Sequence, residues 1–120
     1  VVHGCDGLDE ITLTGDTKVC ELFKGKVKKY LLQPEDFGLH ACKPEDLTGG
    51  LPEKNAEILS DILLGKKGPQ RDIVLMNSSM AIIAGGGAKN LKEAMQIARQ
   101  SIDNGSAKKK LDELCQVSQS

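Results

Sequence analysis

The spacing of apolar residues changes midway along the chain. Up to about residue 33 they come in short runs broken by glycine or charge, the signature of strands and turns. From Pro52 onward they recur every three or four positions, as on helices. Thr17–Phe23 and Lys26–Leu32 are β-compatible runs separated only by Lys24-Gly25, which predicts a hairpin whose imperfect alternation leaves the register open. Val1-Val2 ahead of Gly4 suits a further, buried strand. Residues 33–50 hold Pro34, Gly38, Pro44, Gly49 and Gly50, so an irregular crossing is expected, with at most one helical turn around Pro34-Glu35-Asp36.

Four helices are predicted after it. Residues 52–64 align Ala56, Leu59, Ile62 and Leu63 on one stripe before a stop at Gly65. Pro69–Ala84 is apolar nearly all round, which marks a central, buried helix whose Asn77, Ser78 and Ser79 are expected to bond backbone or neighbouring loops. Asn90-Leu91-Lys92-Glu93 reads as a capping box for a helix with Leu91, Ala94, Met95, Ala98 and Ile102 inward, ending at Gly105. Ser106 is expected to cap a last helix through Leu111, Leu114 and Cys115, with residues 116–120 fraying. Gly85-Gly86-Gly87 follows a helix rather than a strand, so a helix end and turn is favoured over a phosphate cradle.

Composition narrows the function classes. With 39% hydrophobic residues in 120 the chain can bury a core, but one Tyr, two Phe and no Trp make that core aliphatic and remove the stacking platform used on single-stranded nucleic acid. A net charge of −1 leaves no basic footprint for nucleic acid or an anionic membrane. No apolar run approaches the ~20 residues of a membrane helix. Cys5, Cys20, Cys42 and Cys115 form no C-x-x-C pair, which fits reduced thiols and a cytoplasmic location. His3/Cys5 and His40/Cys42 repeat a His-x-Cys pattern that matches no familiar zinc spacing, so scattered small thiols are favoured over a zinc site.

The chemistry-bearing candidate is the acidic, glycine-punctuated stretch from His3 to Glu10. Four acidic dipeptides occur where chance gives about 2.4, so Asp9-Glu10 carries little weight alone. Its setting matters more: a loop just past a strand end is where an α/β protein places a ligand group. Paired carboxylates there suit Mg²⁺ shared with a substrate phosphate, against the simpler reading of a solvated acidic loop.

An ordered series of motifs extends this. VVHG-x-DGLDE is followed by Thr14-Gly15, PEDFGL from Pro34, PEDLTGG from Pro44, P-E-x-N-A-x-I-L from Pro52, LMN from Leu75 to Asn77, and N-G-x-A-x-x-x-L from Asn104. Over essentially all 120 residues the chain resembles anthranilate phosphoribosyltransferase. The resemblance implies an α/β fold, the carboxyl-terminal portion of a nucleoside-phosphorylase/phosphoribosyltransferase-like domain, with a few strands including the hairpin followed by about four helices. Residues 1–120 would be the carboxyl-terminal segment of the large catalytic domain. Its glycine-rich phosphate-binding half, the Lys-x-Gly-Asn-Arg segment, the anthranilate-holding arginine and a small amino-terminal helical domain that forms a homodimer would all lie outside this chain.

The function implied is transfer of phosphoribosyl from phosphoribosyl pyrophosphate to anthranilate, with release of pyrophosphate, in tryptophan biosynthesis. Mg²⁺ is the implied cofactor, with Asp9 and Glu10 as its ligands; no residue here is assigned a catalytic acid, base or nucleophile role. The segment alone is expected to be inactive, since a metal site without a phosphate cradle cannot position the substrate. Two other readings are a non-catalytic binding or assembly module, disfavoured by the intact acidic pair, and a pyrimidine nucleoside phosphorylase, disfavoured by DGLDE and PEDLTGG. Departures from the family pattern are Leu51, where an acidic residue is usual, and Ser78-Ser79 in place of Ala-Ala.

Overall fold

The computed structural model describes residues 1–119. Three strands, β1 (Val2–Gly4), β2 (Thr17–Phe23) and β3 (Lys26–Leu32), form an antiparallel sheet in the order β1-β2-β3. Helices α1 (Pro52–Leu63), α2 (Pro69–Ala84), α3 (Leu91–Asp103) and α4 (Ser106–Ser118) follow. The expected order of strands, hairpin and helices is met.

Lys24 and Gly25 both take positive φ, 48° and 75°, which is the two-residue turn whose twist matches that of the flanking strands. The hairpin register runs from Thr17↔Leu32 to Phe23↔Lys26. Thr17, Val19 and Leu32 are buried at the base, whereas both strands are exposed toward the tip. Alternation is weak in the sequence because only the base of the hairpin has a core beneath it. β1 is less enclosed than the Val1-Val2 pair suggested. It starts at Val2 and, among the described residues, pairs only with β2, leaving Val1 95% exposed.

The crossing at residues 33–50 holds two 3₁₀ turns, Pro34–Phe37 and Pro44–Leu47, where at most one was expected. Each repeats Pro-Glu-Asp, and each Asp folds back on its own turn: Asp36 Oδ2 accepts from Gln33 N at 2.7 Å and Asp46 Oδ2 from Lys43 N at 3.0 Å. Phe37 is buried, and Leu39, Cys42 and Leu47 pack against the core, so the segment lies over the helices.

The core joins Ile11, Leu13, Val19, Leu32 and Phe37 to Ile62 of α1, Leu75 and Met76 of α2, and Met95, Ala98 and Ile102 of α3. No residue of α2 from Pro69 to Met80 is exposed, as its all-round apolar surface predicts. α1 presents Ile58 and Ile62 inward and leaves Ala56 and Leu59 exposed, so the buried edge is an i, i+4 row that includes Ile58, outside the expected stripe. Asn90 caps α3 through Oδ1 on Glu93 N (2.9 Å), while Glu93 reaches back to Lys89 N (2.9 Å), one residue before the reciprocal position of a capping box. Gly105, φ 81°, is the N-cap of α4 in place of Ser106, which is the first helical residue and donates its N–H to Asn104 Oδ1. That helix runs through Ser118 instead of fraying at 116; residue 120 of the expected frayed end lies outside the described residues.

Candidate functional site

The segment joining β1 to β2 carries the acidic motif, and hydrogen bonds from two directions shape it. On the β1 side, Gly4 N donates to Leu8 O (2.8 Å) and Gly7 N to Gly4 O (3.0 Å), closing a tight turn that needs the positive φ of Gly7, 100°. Gly4 is buried, and a Cβ there would run into Asp6 Oδ1 and approach Thr12 to 3.1 Å, so glycine is required for the loop to close.

Asp6 is the hub of that turn. Its Oδ2 accepts from the Thr12 hydroxyl at 2.6 Å and from the Thr14 hydroxyl, and its Oδ1 accepts from Leu8 N at 3.0 Å. The Thr12 and Thr14 hydroxyls, then the Leu8 amide, hold its carboxyl below the usual carboxylate range. Thr12 N in turn donates to Thr17 Oγ1 at 3.0 Å, which ties the loop to the base of β2.

On the far side, Ile11, Thr12 and Leu13 are fully buried, with exposures of 1%, 0% and 0%. Here α2 enters the site. Asn77 Oδ1 accepts from Ile11 N at 3.0 Å, and Asn77 Nδ2 donates to Ile11 O at 2.9 Å and to Ile73 O at 3.0 Å. Asn77 and Ser79, whose hydroxyl donates to Met76 O at 2.8 Å, thus find the backbone partners expected of them.

Asp9 and Glu10 stand between these anchors. Both are exposed, and among the described residues neither carboxylate has a hydrogen-bond or ion-pair partner. Their oxygens are hard donors free to take a hard cation, so the pair fits Mg²⁺. No group of three or more His, Cys, Asp or Glu among the described residues is disposed to hold a metal, so a cation on this pair would complete its shell from water and substrate oxygens. His3 is exposed on β1, and all four cysteines are free thiols.

Two surface hollows lie elsewhere, one along α3 beside Lys92, Arg99 and Asp103, the other between the ends of α1 and α4. Neither includes a residue of the acidic loop, which faces open solvent. Asp6 and Asn77 carry site geometry that sequence reasoning did not assign. A lone amide in the middle of an apolar helix was the available signal for Asn77; Asp6 lies within the acidic motif, but its bonds to Thr12 and Thr14 form only once the loop folds back.

Proteins similar to this chain in sequence and in fold include anthranilate phosphoribosyltransferases. Anthranilate phosphoribosyltransferase of Methanobrevibacter smithii is 45% identical over 119 residues, 99% of this chain and 36% of that protein. Among solved structures, the Thermus thermophilus enzyme matches with TM-score 0.84 at 38% identity, over 94% of this chain and 33% of its own. The Saccharomyces cerevisiae enzyme in complex with PRPP and Mg matches with TM-score 0.83 at 32% identity, over 92% and 32%. The chain therefore spans about a third of the length of the relatives it matches, and the resemblance drawn from its motifs holds. The glycosyl transferase family a/b domain matches residues 1–108, a span that takes in the sheet, the acidic loop and the Asn77 contact, and the chain belongs to that family.

Proposed function

We propose that this chain is the carboxyl-terminal segment of the large domain of an anthranilate phosphoribosyltransferase, in which Asp9 and Glu10 bind Mg²⁺ against the diphosphate of phosphoribosyl pyrophosphate. The observation that carries the reading is the pair of exposed, unpartnered carboxylates on a loop pinned at both ends, in a chain similar along its whole length to enzymes of that name.

Displacing pyrophosphate from an anomeric carbon leaves positive character on the ribose and negative charge on the departing group. A bound Mg²⁺ supplies neutralisation and orientation of that charge. The chain's own contribution is to hold the two carboxyl groups toward solvent on a backbone fixed in place, with Asp6, Thr12 and Thr14 bracing the turn behind them. Anthranilate and the remaining phosphate contacts are assigned to parts of the enzyme outside this chain, as are the small helical domain and the homodimer it forms. The reading carries a cytoplasmic location.

Titrating the chain with Mn²⁺, a paramagnetic stand-in for Mg²⁺, in the presence of pyrophosphate should broaden the Asp9 and Glu10 amide signals first. Asp9→Asn or Glu10→Gln should weaken binding by about tenfold or more, since affinity at such sites follows ligand charge. Unchanged affinity in both variants would remove the assignment. Anthranilate-dependent pyrophosphate release by the 120-residue chain alone is expected to be undetectable; measurable turnover would show that the site is not shared with missing sequence.

A further inference from the structure

We propose that Asn77 is the positioning residue of the acidic loop: from the middle of α2, its amide engages both polar backbone groups of Ile11 and thereby sets where the Asp9 and Glu10 carboxylates stand. The consequence for metal binding rests on the function proposed above; the hold on the loop does not.

The geometry is that of a strand partner built from one side chain. Ile11 N donates to Asn77 Oδ1 at 3.0 Å and Asn77 Nδ2 donates to Ile11 O at 2.9 Å, so the amide matches the donor and acceptor of one residue, as a ladder pair does. A single bond would let the peptide pivot, whereas two opposed bonds fix its rotation as well as its distance. The third contact, Nδ2 to Ile73 O at 3.0 Å, uses the other amide hydrogen and locks the side chain to its own helix. A flipped amide would set an NH₂ against the Ile11 N–H and an oxygen against two carbonyls, so only one orientation satisfies the site.

Ile11 is a firm point to hold. Its side chain is 1% exposed in the core, and the α2 residues flanking Asn77 include the buried Leu75, Met76 and Ser79. Upstream, Leu8 is held by Gly4 N on its carbonyl and by Asp6 on its amide. Only Asp9 and Glu10 lie between the two pinned residues. Two residues spanning fixed ends have few backbone conformations, so the directions in which their side chains leave the chain are set relative to each other and to α2, and less backbone freedom remains to be lost when a cation is bound. Asn77 touches neither carboxylate and acts through Ile11.

The test uses the chain with Asn77→Leu, which keeps four side-chain heavy atoms branched at Cγ and removes every hydrogen bond, and Asn77→Asp, which keeps an acceptor for Ile11 N and loses both donors. Ile102→Val serves as a control that loosens the core away from the loop. Without metal, the wild-type Ile11 amide should exchange with solvent far more slowly than those of Asp9 and Glu10, and the two Asn77 side-chain hydrogens should be resolved and protected. Asn77→Leu should release Ile11 and mobilise Asp9 and Glu10 on the nanosecond scale while β2 and α3 amides keep their protection. With Mn²⁺ and pyrophosphate, Asn77→Leu should bind about tenfold more weakly, the usual size for a supporting group behind a ligand, and Ile102→Val should bind as wild type does.

A rapidly exchanging Ile11 amide in the wild type overturns the proposal without any variant, which covers the case in which Asn77→Leu does not fold. A released Ile11 with unchanged metal affinity overturns the link to the carboxylates. Absence of Mn²⁺–pyrophosphate binding by the wild type would instead count against the proposed function, and the mobility of Asp9 and Glu10 in Asn77→Leu would then decide the positioning role alone.

Discussion

At the level of single residues, the loop depends on groups that never meet a ligand. Asp6 is mostly solvent-exposed yet has its carboxyl held down by two threonine hydroxyls and an amide. A carboxyl whose folded value lies below its unfolded one contributes stability above the unfolded value and loses it as pH falls through the folded one. The loop should therefore keep its shape at neutral pH and loosen only in acid. The Leu8 amide shift, followed by NMR, should titrate with a midpoint below 3.8, the ordinary value for this group; a midpoint at or above it would show that the Thr12 and Thr14 bonds do not hold in solution. Cys42 shows the opposite effect. Burial first, then Asp46 and Asp72, raise its thiol, which keeps it protonated and unreactive near neutral pH. Asp9 and Glu10 could be singled out as candidates in the sequence because adjacent carboxylates in a glycine-flanked motif are a local pattern. The hub role of Asp6 and the identity of the loop that Asn77 holds could not, since Thr12, Thr14 and Ile11 lie six, eight and 66 positions away.

Elements were legible wherever a local interaction decides them. The Lys24-Gly25 turn, the Asn90 cap and the glycines past α1 and α2 each satisfy a backbone need within a few residues. Asn90→Ala should cost about 1 kcal/mol in urea unfolding, and Asn90→Asp should restore most of it; a silent alanine variant would mean that packing against α2 alone holds the first turn of α3. Elements went astray where neighbours decide. The second 3₁₀ turn repeats the local Asp bond of the first, but Leu47 on the core is what singles it out of a glycine- and proline-rich crossing, and the inward edge of α1 is set by what lies beneath Ile58 and Ile62. Gly105 caps α4 because its left-handed backbone turns the chain between two helices, after which Ser106 is already helical.

The whole molecule is less compact than its length suggests. Its radius of gyration is 15.1 Å, against about 14 Å for a compact domain of this size. The hairpin accounts for part of this: Leu22, Phe23 and Val27 near its tip and Leu31 near its base are 54–72% exposed. Apolar strand surface of this kind favours self-association. Sedimentation velocity should show the chain associating as concentration rises, and Leu22→Thr with Val27→Thr, a directly paired position, should suppress it with a stability change within about 0.5 kcal/mol. A monomeric wild type at high concentration would mean that the lysine-rich tip is soluble as it stands. Periodicity, turn chemistry and the acidic motif were determined by the sequence alone, because each is encoded within one or two turns of chain. Tertiary structure decided which faces are covered and how the loop is held: α2 must first pack beneath Ile11 before the Asn77 amide, 66 residues away, can reach it and fix the backbone that carries the two carboxylates.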